Sequence, residues 1–202
     1  MSGDVYLIKL GADSLPDSET KREILENLKS IEENIFYINK IVADLQDYSK
    51  LQTPVLEEVN MEETINRMLA AINVPPTINV NISVEEDFPT LRSNEAALRR
   101  ILNNLVWNAI QAMPEGGELT IKAILEGDRP VVYVTDTGRG IPDDVKPNLF
   151  KPLFTTKPKG QGFGLAVVKK LTEDLGIDIG YESKVGRGTS FFLKFPKTNG
   201  RQ

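Results

Sequence analysis

The stretch VVYVTDTGRGI, residues 131–141, constrains the fold of this chain more than any other. Its β-branched and aromatic residues favour a buried strand that ends at Asp136, directly before Gly138 and Gly140. Glycines at the end of a strand permit a tight turn whose backbone approaches a ligand closely. The stretch therefore has two interpretations: a catalytic carboxylate carried by Asp136, or a glycine turn that brings backbone against a nucleotide.

The composition excludes several kinds of site. The chain has 202 residues, 40% of them hydrophobic, which suffices for a sizeable core in one or two domains. It has no cysteine and no histidine, which excludes disulfides, ordinary zinc sites and serine-protease triads. The net charge of -5 argues against nucleic acid as a partner, although the locally basic segment KPLFTTKPKG suits a small phosphate ligand. Because no apolar run approaches the roughly 20 residues of a membrane span and no signal peptide is evident, we expect a cytoplasmic protein.

The N-terminal region carries a helical pattern. Between Asp17 and Leu51 the apolar residues recur at alternating spacings of four and three, which predicts one long helix with a heptad seam. The seam consists of Ile24, Leu28, Ile31, Ile35, Ile38, Val42 and Leu45. The shorter apolar segment VYLIKL precedes it, separated by GADSLPDS, so we expect a helical hairpin whose exposed seam pairs with a second copy into a four-helix dimer. The alternative is a long helix that lies on its own domain.

The remaining chain mixes strands and helices. We place a domain boundary near Thr53, which gives a hairpin over residues 1–53 and a second domain over residues 54–202. The predicted strands are VLEEV, INVNIS, ELTIKAIL, PVVYVTD, IDIGYES and GTSFFLKF. The predicted helices run from an Asn60–Glu63 capping box to Ala71, from Asn94 to Met113 and from Gly164 to Leu175, with a long loop over Ile141–Gly162. This order predicts an α+β sandwich with helices on one face of one sheet.

Two further patterns suggest a phosphate site. Asn104 and Asn108 lie four apart and share one face of their helix, and their amide oxygens suit Mg²⁺ bound together with a triphosphate. Taken alone, the pair is more often two solvated or capping asparagines. The segment GQGFGL supplies glycines directly before a helix, whose N-terminus favours anions. Neither glycine loop fits GxxxxGK[ST] or GxGxxG, so P-loop and Rossmann interpretations fail.

The motifs NLVWNA, DTGRGI, LFKPLFTTKPKGQGFGL and GRGT, in this order, resemble the catalytic ATP-binding domain of sensor histidine kinases. They match its N box, its F box and its three glycine boxes. The resemblance covers essentially the whole chain, since the upstream IVADLQDYSKLQ looks like the dimerisation and phosphotransfer region of that family. It implies a two-layer α/β sandwich, the Bergerat-type ATP-binding fold, preceded by a hairpin that pairs into a dimeric four-helix bundle. It also implies ATP and Mg²⁺ as ligands and a response-regulator receiver domain as partner.

The resemblance implies roles for the matching residues. Asp136 would accept a hydrogen bond from the adenine amino group, Asn108 would hold Mg²⁺, and Asn104 would lie near the γ-phosphate as the catalytic residue. In related ATPases a glutamate that activates water stands at that position, and an amide cannot act as that base. Phe150 and Phe154 would anchor the lid over ATP. The other implied nucleotide-binding residues are Gly138, Gly140, Ile141, Thr155, Thr156, Lys157, Lys159, Gly160, Gly162, Phe163, Gly164, Leu165 and Thr189.

Two departures from the family pattern stand out. The family phosphorylates a histidine on the first hairpin helix, and this sequence has none. Either the histidine belongs upstream of Met1, together with any membrane anchor, or the chain is a naturally degenerate kinase; the chain alone cannot phosphorylate itself on histidine. Gln111 stands where many relatives carry a basic residue, so phosphate affinity would depend more on Lys157 and Lys159.

The resemblance therefore implies a kinase core that transfers the γ-phosphoryl group of ATP to a histidine outside this sequence. A second hypothesis is a non-catalytic, nucleotide-sensing scaffold that dimerises and docks a response regulator. A third is a dimeric aspartic protease built on Asp136, which requires a largely β fold.

Overall fold

A computed structural model describes residues 2–31, 35, 55–155 and 162–197. The chain divides into two compact units, Met1–Lys50 and Leu51–Gln202. Within the described residues, no helix has the length and apolar character that crossing a membrane requires. The predicted boundary near Thr53 falls outside the described residues and stays a prediction.

The first unit is helical, as predicted. Helix α1 spans Ser2–Asp13, and a second helix, α2, is described over residues 19–31 and at Ile35. The two helices share a small core of Val5, Ala12 and Leu28, against which Ile24, Leu25 and Ile35 pack. Ile31, another member of the predicted seam, is 45% exposed. The remaining seam residues, Ile38, Val42 and Leu45, lie outside the described residues.

The second unit has the predicted α+β order. Its strands are β1 (Glu57–Val59), β2 (Ile78–Val84), β3 (Leu91–Ser93), β4 (Gly117–Glu126), β5 (Arg129–Asp136), β6 (Asp178–Lys184) and β7 (Gly188–Lys194). Its helices are α3 (Met61–Ala70), α4 (Glu95–Ala112) and α5 (Gly164–Asp174). A single short 3-10 helix, Lys146–Asn148, interrupts the described part of the long loop. The mixed fold is incompatible with the largely β architecture that the protease hypothesis requires.

Five strands form one sheet in the order β2-β4-β5-β7-β6. β2 runs parallel to β4, and every other neighbouring pair is antiparallel. A separate two-stranded ribbon joins β1 to β3, pairing Val59 with Leu91. Strand β3 is not among the strands predicted from the sequence, because three residues are too few to show alternation and the strand forms only by pairing with β1.

Helix α4 is the centre of the core. Asn94 caps its N-terminus by accepting a hydrogen bond from the Ala97 N–H at 2.8 Å, as Asn60 does for α3 from the Glu63 N–H at 3.0 Å. One face of α4 is fully buried between the sheet and the flanking helices α3 and α5. That face contributes Leu98, Ile101, Leu102, Leu105, Val106, Ala109 and Ile110. The helix is thereby held rigidly over the strands that end at the glycine turn.

The opposite face of the sheet carries a polar and aromatic network. The Tyr133 hydroxyl donates a hydrogen bond to Glu126, which also accepts one from Lys194 at 3.2 Å. The Phe192 ring packs beside Tyr133 with centroids 6.0 Å apart and covers Gly180, where a Cβ would lie 2.3 Å from the ring. The bond to Glu126, followed by partial burial, raises the pKa of Tyr133 to about 12, and the same bond is the main cause that lowers the pKa of Glu126.

This raised pKa predicts a pH dependence of stability. Because the folded-state pKa of Tyr133 lies above its unfolded value of about 10, its contribution is fully present below about pH 10 and is lost as pH rises towards 12. We expect the free energy of unfolding to fall more steeply between these pH values in the wild type than in Tyr133→Phe. Urea unfolding followed by the fluorescence of Trp107, the single tryptophan, measures this. Equal slopes in the two proteins would contradict the assignment.

Candidate nucleotide-binding site

Asp136 lies at the end of β5 on the helix-covered face of the sheet. It is paired in register with Thr189 of β7, and Thr189 is in turn paired with Ser183 of β6. Asp136 and Thr189 are each only 5% exposed. The Gly138 N–H donates a hydrogen bond to Asp136 Oδ1 at 2.8 Å, which fixes the carboxylate at the start of the turn. Three polar side chains from adjacent strands therefore form one row at this end of the sheet.

The glycine turn after β5 is tied to both neighbouring elements. The Arg139 N–H donates to the carbonyl of Ala112, the last residue of α4, at 3.1 Å, and the Gly186 N–H donates to the Arg139 carbonyl at 2.8 Å. Gly140 has φ +71°, and a Cβ there would lie 2.3 Å from the Lys184 carbonyl oxygen. A glycine is therefore required at this position both by backbone conformation and by space. The turn is a fixed wall between α4 and the β6–β7 hairpin.

The two asparagines project from the helix that ends at this wall. Asn104 is buried at 5% exposure, and its Nδ2 donates to the Arg100 carbonyl at 3.0 Å. Asn108 is half-buried one turn further along α4 and one turn before Ala112, which contacts the glycine turn. The predicted sharing of one helix face by the two amides agrees with the continuous α-helix over both residues.

The loop after the glycine turn is anchored by aromatic residues. The Phe150 ring packs against Tyr181 of β6 with centroids 6.0 Å apart, and Phe150 also contacts the main core. Phe154 is half-buried, Thr155 is exposed, and a Cβ at Gly162 would lie 2.4 Å from the Phe154 nitrogen. The two described ends of the loop therefore lie against each other, with Gly162 beside Phe154. Thr156, Lys157, Lys159 and Gly160 lie outside the described residues, and their predicted roles stay predictions.

Helix α5 begins where this loop ends. Phe163 is its N-cap residue and makes no side-chain capping bond, although its carbonyl accepts the Val167 N–H at 2.8 Å. Gly164 opens the helix, and Leu165 packs against the core. The first N–H groups of a helix have no partner within the helix and carry the positive end of its dipole. This end of α5 is suited to an anion such as a phosphate.

Two residues of the site, Ser183 and Thr137, are not among those predicted from the sequence. Ser183 bonds to the glycine turn and to Thr189, with its Oγ 2.8 Å from the Ile141 nitrogen. Pairing IDIGYES with GTSFFLKF across the glycine-containing turn would have set Ser183 opposite Thr189, so a signal was present. Thr137, the middle residue of Asp-Thr-Gly, accepts a hydrogen bond from the Glu118 N–H at 3.0 Å, which ties the turn to β4.

The chain is similar to known histidine kinases in sequence and in fold. Residues 93–199 match the family described as histidine kinase-, DNA gyrase B-, and HSP90-like ATPase. The sensor histidine kinase ZraS of Escherichia coli is 32% identical over 162 residues, which cover 79% of this chain and 35% of ZraS. The catalytic domain of the histidine kinase ThkA is 28% identical, with a TM-score of 0.63 over 71% of this chain and 96% of that domain.

Two longer structures share the fold at lower identity. ThkA in complex with the response regulator protein TrrA has a TM-score of 0.71 at 24% identity and covers 98% of this chain and 58% of that one. Full-length ShkA in complex with AMPPNP has a TM-score of 0.72 at 21% identity and covers 100% of this chain and 46% of that one.

The chain belongs to the histidine kinase-, DNA gyrase B- and HSP90-like ATPase family. It carries an ATP-binding catalytic domain of the histidine-kinase type, which confirms the resemblance and the fold class predicted from the sequence. The chain spans about a third of the length of ZraS, so the activity and partners of a whole sensor kinase are not thereby assigned to it.

Close packing at the start of β7 predicts that a Gly→Ala substitution destabilises the protein far more at Gly188 than at Gly186. A Cβ at Gly188 would lie 1.9 Å from the Asp136 carbonyl oxygen, whereas a Cβ at Gly186 meets nothing within 4 Å. Both glycines have positive φ, +97° at Gly188 and +75° at Gly186. Placing an alanine at such a φ costs roughly 1–2 kcal/mol, so Gly186→Ala controls for this backbone cost. We expect Gly188→Ala to lower the free energy of unfolding by about 1–3 kcal/mol more than Gly186→Ala. Urea unfolding measures both, and equal losses would contradict the predicted clash.

Proposed function

We propose that this chain is the catalytic core of a cytoplasmic sensor histidine kinase module, and that it transfers the γ-phosphoryl group of Mg-ATP to a histidine outside this sequence. The observation that carries the proposal is the buried row of Asp136 and Thr189, at the sheet end that adjoins the asparagine helix. The row of Asp136 and Thr189 can read a base, and the asparagines of helix α4 can meet a metal–phosphate group. A kinase needs both groups, and the backbone hydrogen bond from Arg139 to Ala112 joins the turn after Asp136 to the end of α4.

The donor set fits Mg-ATP. Asn108 supplies an amide oxygen, a hard ligand of the kind that Mg²⁺ accepts alongside waters and phosphate oxygens. The uncapped start of α5 suits phosphate, and Gly138 and Gly140 allow backbone to line the pocket closely. When bound, Mg²⁺ would neutralise phosphate charge during transfer.

The residues of the chain then act by positioning. Asp136 would orient the base by accepting a hydrogen bond from the amino group of the base, while Asn108 would hold the metal. Asn104 would lie near the γ-phosphate, where an amide cannot serve as a general base for water. Phe150 and Phe154 would anchor the lid, and Lys157 and Lys159 would meet phosphate charge. Phosphoryl transfer depends mainly on such positioning and charge stabilisation, with little covalent chemistry from the protein.

The acceptor and the regulator would be separate groups. The sequence contains no histidine, so transfer must reach a histidine on another polypeptide or on a segment outside these residues. The ThkA–TrrA complex supports a response-regulator receiver domain as the downstream partner. The alternative is a scaffold that binds nucleotide and docks a regulator without transferring phosphate, which the missing acceptor favours.

A metal-ligand substitution tests the kinase proposal. We expect Asn108→Ala to lose Mg²⁺-dependent binding of a fluorescent ADP analogue and phosphotransfer from labelled ATP to a histidine-bearing hairpin fragment of a related kinase. The matched control is Asn79→Ala, which removes an exposed asparagine from the opposite face of the sheet. Energy transfer from Trp107, the residue before Asn108, reports binding.

The outcomes separate the hypotheses. Binding and transfer that both survive in Asn108→Ala would reject the assigned metal role. Wild-type binding without any transfer would favour the scaffold. Absence of both nucleotide binding and transfer in the folded wild type would reject the kinase core.

The helical unit supports a homodimer through its apolar surface. Several large apolar residues of this unit are exposed: Tyr6 (60%), Leu7 (65%), Ile8 (54%), Leu10 (51%), Leu15 (45%) and Ile31 (45%). Exposed apolar residues so concentrated in one small helical unit are typical of an association surface. The predicted four-helix dimer would bury those of them that face the partner helices.

We expect the double substitution Leu7→Asp with Ile31→Asp to convert the dimer into a monomer, because charges would then be buried without partners. Sedimentation or light scattering measures the mass. The matched control is Val55→Asp, which places the same charge at a residue of the other unit that is 78% exposed. A wild type that is already monomeric, or a double variant that stays dimeric, would contradict the proposed surface.

A further inference from the structure

Ser183 bonds both to the glycine turn and to Thr189, which together with Asp136 forms the proposed base-reading row. It lies on β6, in register with Thr189, on the helix-covered face of the sheet, where Ile179 and Tyr181 of the same strand pack against the core. Its Oγ has three polar neighbours: the Ile141 nitrogen at 2.8 Å, the Thr189 hydroxyl at 2.9 Å and the Gly188 carbonyl at 3.2 Å. One hydroxyl therefore links the turn after β5 to the start of β7.

The hydrogen-bonding capacity of a serine decides the direction of these bonds. A hydroxyl has one proton to donate and two lone pairs that accept. The Ile141 N–H can only donate and the Gly188 carbonyl can only accept, so Ser183 accepts from the first and gives its proton to the second. All three bonds are made only if the Thr189 hydroxyl donates to Ser183. Polar groups that are removed from solvent normally have their hydrogen-bonding capacity used, so we take all three bonds as formed.

The direction of the last bond determines what Thr189 offers to a ligand. Its single proton is used by Ser183, so its oxygen presents lone pairs alone. Asp136, paired with Thr189 in register, is likewise acceptor-only when ionised. The row therefore presents two acceptors side by side. A base edge with an amino group satisfies them, whereas a base edge with an oxo group at the same place opposes them.

We propose that Ser183 is a positioning residue that gives the pocket its preference for 6-amino over 6-oxo purine nucleotides, by holding the Thr189 hydroxyl as an acceptor. This inference rests on the proposed nucleotide binding and extends it to the choice of base. Ser183 acts through Thr189 and needs no contact with the ligand itself. Without Ser183, the Thr189 hydroxyl can rotate and donate to an oxo group.

The sheet contains a matched control for this bond. On the opposite face, Thr135 of β5 and Ser190 of β7 form another cross-strand hydroxyl pair, with their oxygens 2.7 Å apart. Ser190→Ala removes a serine hydroxyl from the same strand as Thr189 and leaves the base-reading row untouched. A merely structural role of cross-strand hydroxyl pairs would affect both variants alike.

The test measures dissociation constants for ATP and for inosine triphosphate, which carries an oxo group in place of the adenine amino group, at constant Mg²⁺. Displacement of a fluorescent ADP analogue gives both values without any phosphotransfer. We expect the wild type to prefer ATP, and Ser183→Ala to reduce the ratio of the two constants by about threefold to tenfold, the range of one neutral hydrogen bond. Ser190→Ala should keep the wild-type ratio, and Ser183→Thr, which retains the hydroxyl, should restore most of it.

A second variant covers the case in which Ser183→Ala does not fold. Thr189→Val has nearly the same volume, lacks the hydroxyl altogether and should also lose preference for ATP. Equal weakening of both nucleotides in Ser183→Ala, or an unchanged ratio in Thr189→Val, would overturn the proposal. A wild type that binds both nucleotides equally would overturn it while leaving nucleotide binding intact. A wild type that binds neither would reject the proposed function together with this inference.

Discussion

The antiparallel pairing of β5 with β7 is the interaction on which the site depends. It sets Asp136 opposite Thr189, and it requires the backbone at Gly188 to approach the Asp136 carbonyl so closely that no side chain fits. A shift of one residue in this register would turn Thr189 to the opposite face of the sheet. The proposed base-reading row would then lose Thr189, and the turn after Asp136 would lose its neighbour in the β6–β7 hairpin.

Helix α4 belongs both to the hydrophobic core and to the proposed site. Its apolar face accounts for the largest part of the core, which holds the helix rigid, and Asn104 and Asn108 lie on the same rigid element. In the proposed function these two side chains meet a metal and phosphates, and groups that need such exact placement are better carried by a rigid element than by a loop. The bond from Arg139 to the Ala112 carbonyl then couples the end of this helix to the glycine turn. Stability and site geometry therefore depend on the same packing.

Much of this architecture could be predicted from residue patterns. The β-branched and aromatic residues of VVYVTD, the capping residue Asn60, and the glycines that end β5 and open α5 each indicate a local structure, and the structure contains all of them. Local patterns failed where an element is defined only by its partner. Strand β3 has three residues and forms through β1, and Ser183 gains its role from bonds to residues that are 5 or more positions away along the chain.

The sequence by itself determined the element order, the family motifs and the kinds of ligand that a chain without histidine or cysteine can bind, because spacing and residue type act locally. It also determined that Asp136 ends a strand before a glycine turn. The β6–β7 hairpin pattern already aligns Ser183 with Thr189, but only the tertiary structure decided that β7 pairs with β5 and sets Thr189 opposite Asp136, since strand register is a property of two segments and not of one. The inferred direction of the hydroxyl bonds also depends on the tertiary structure, because the donors and acceptors that are counted meet only in the folded chain.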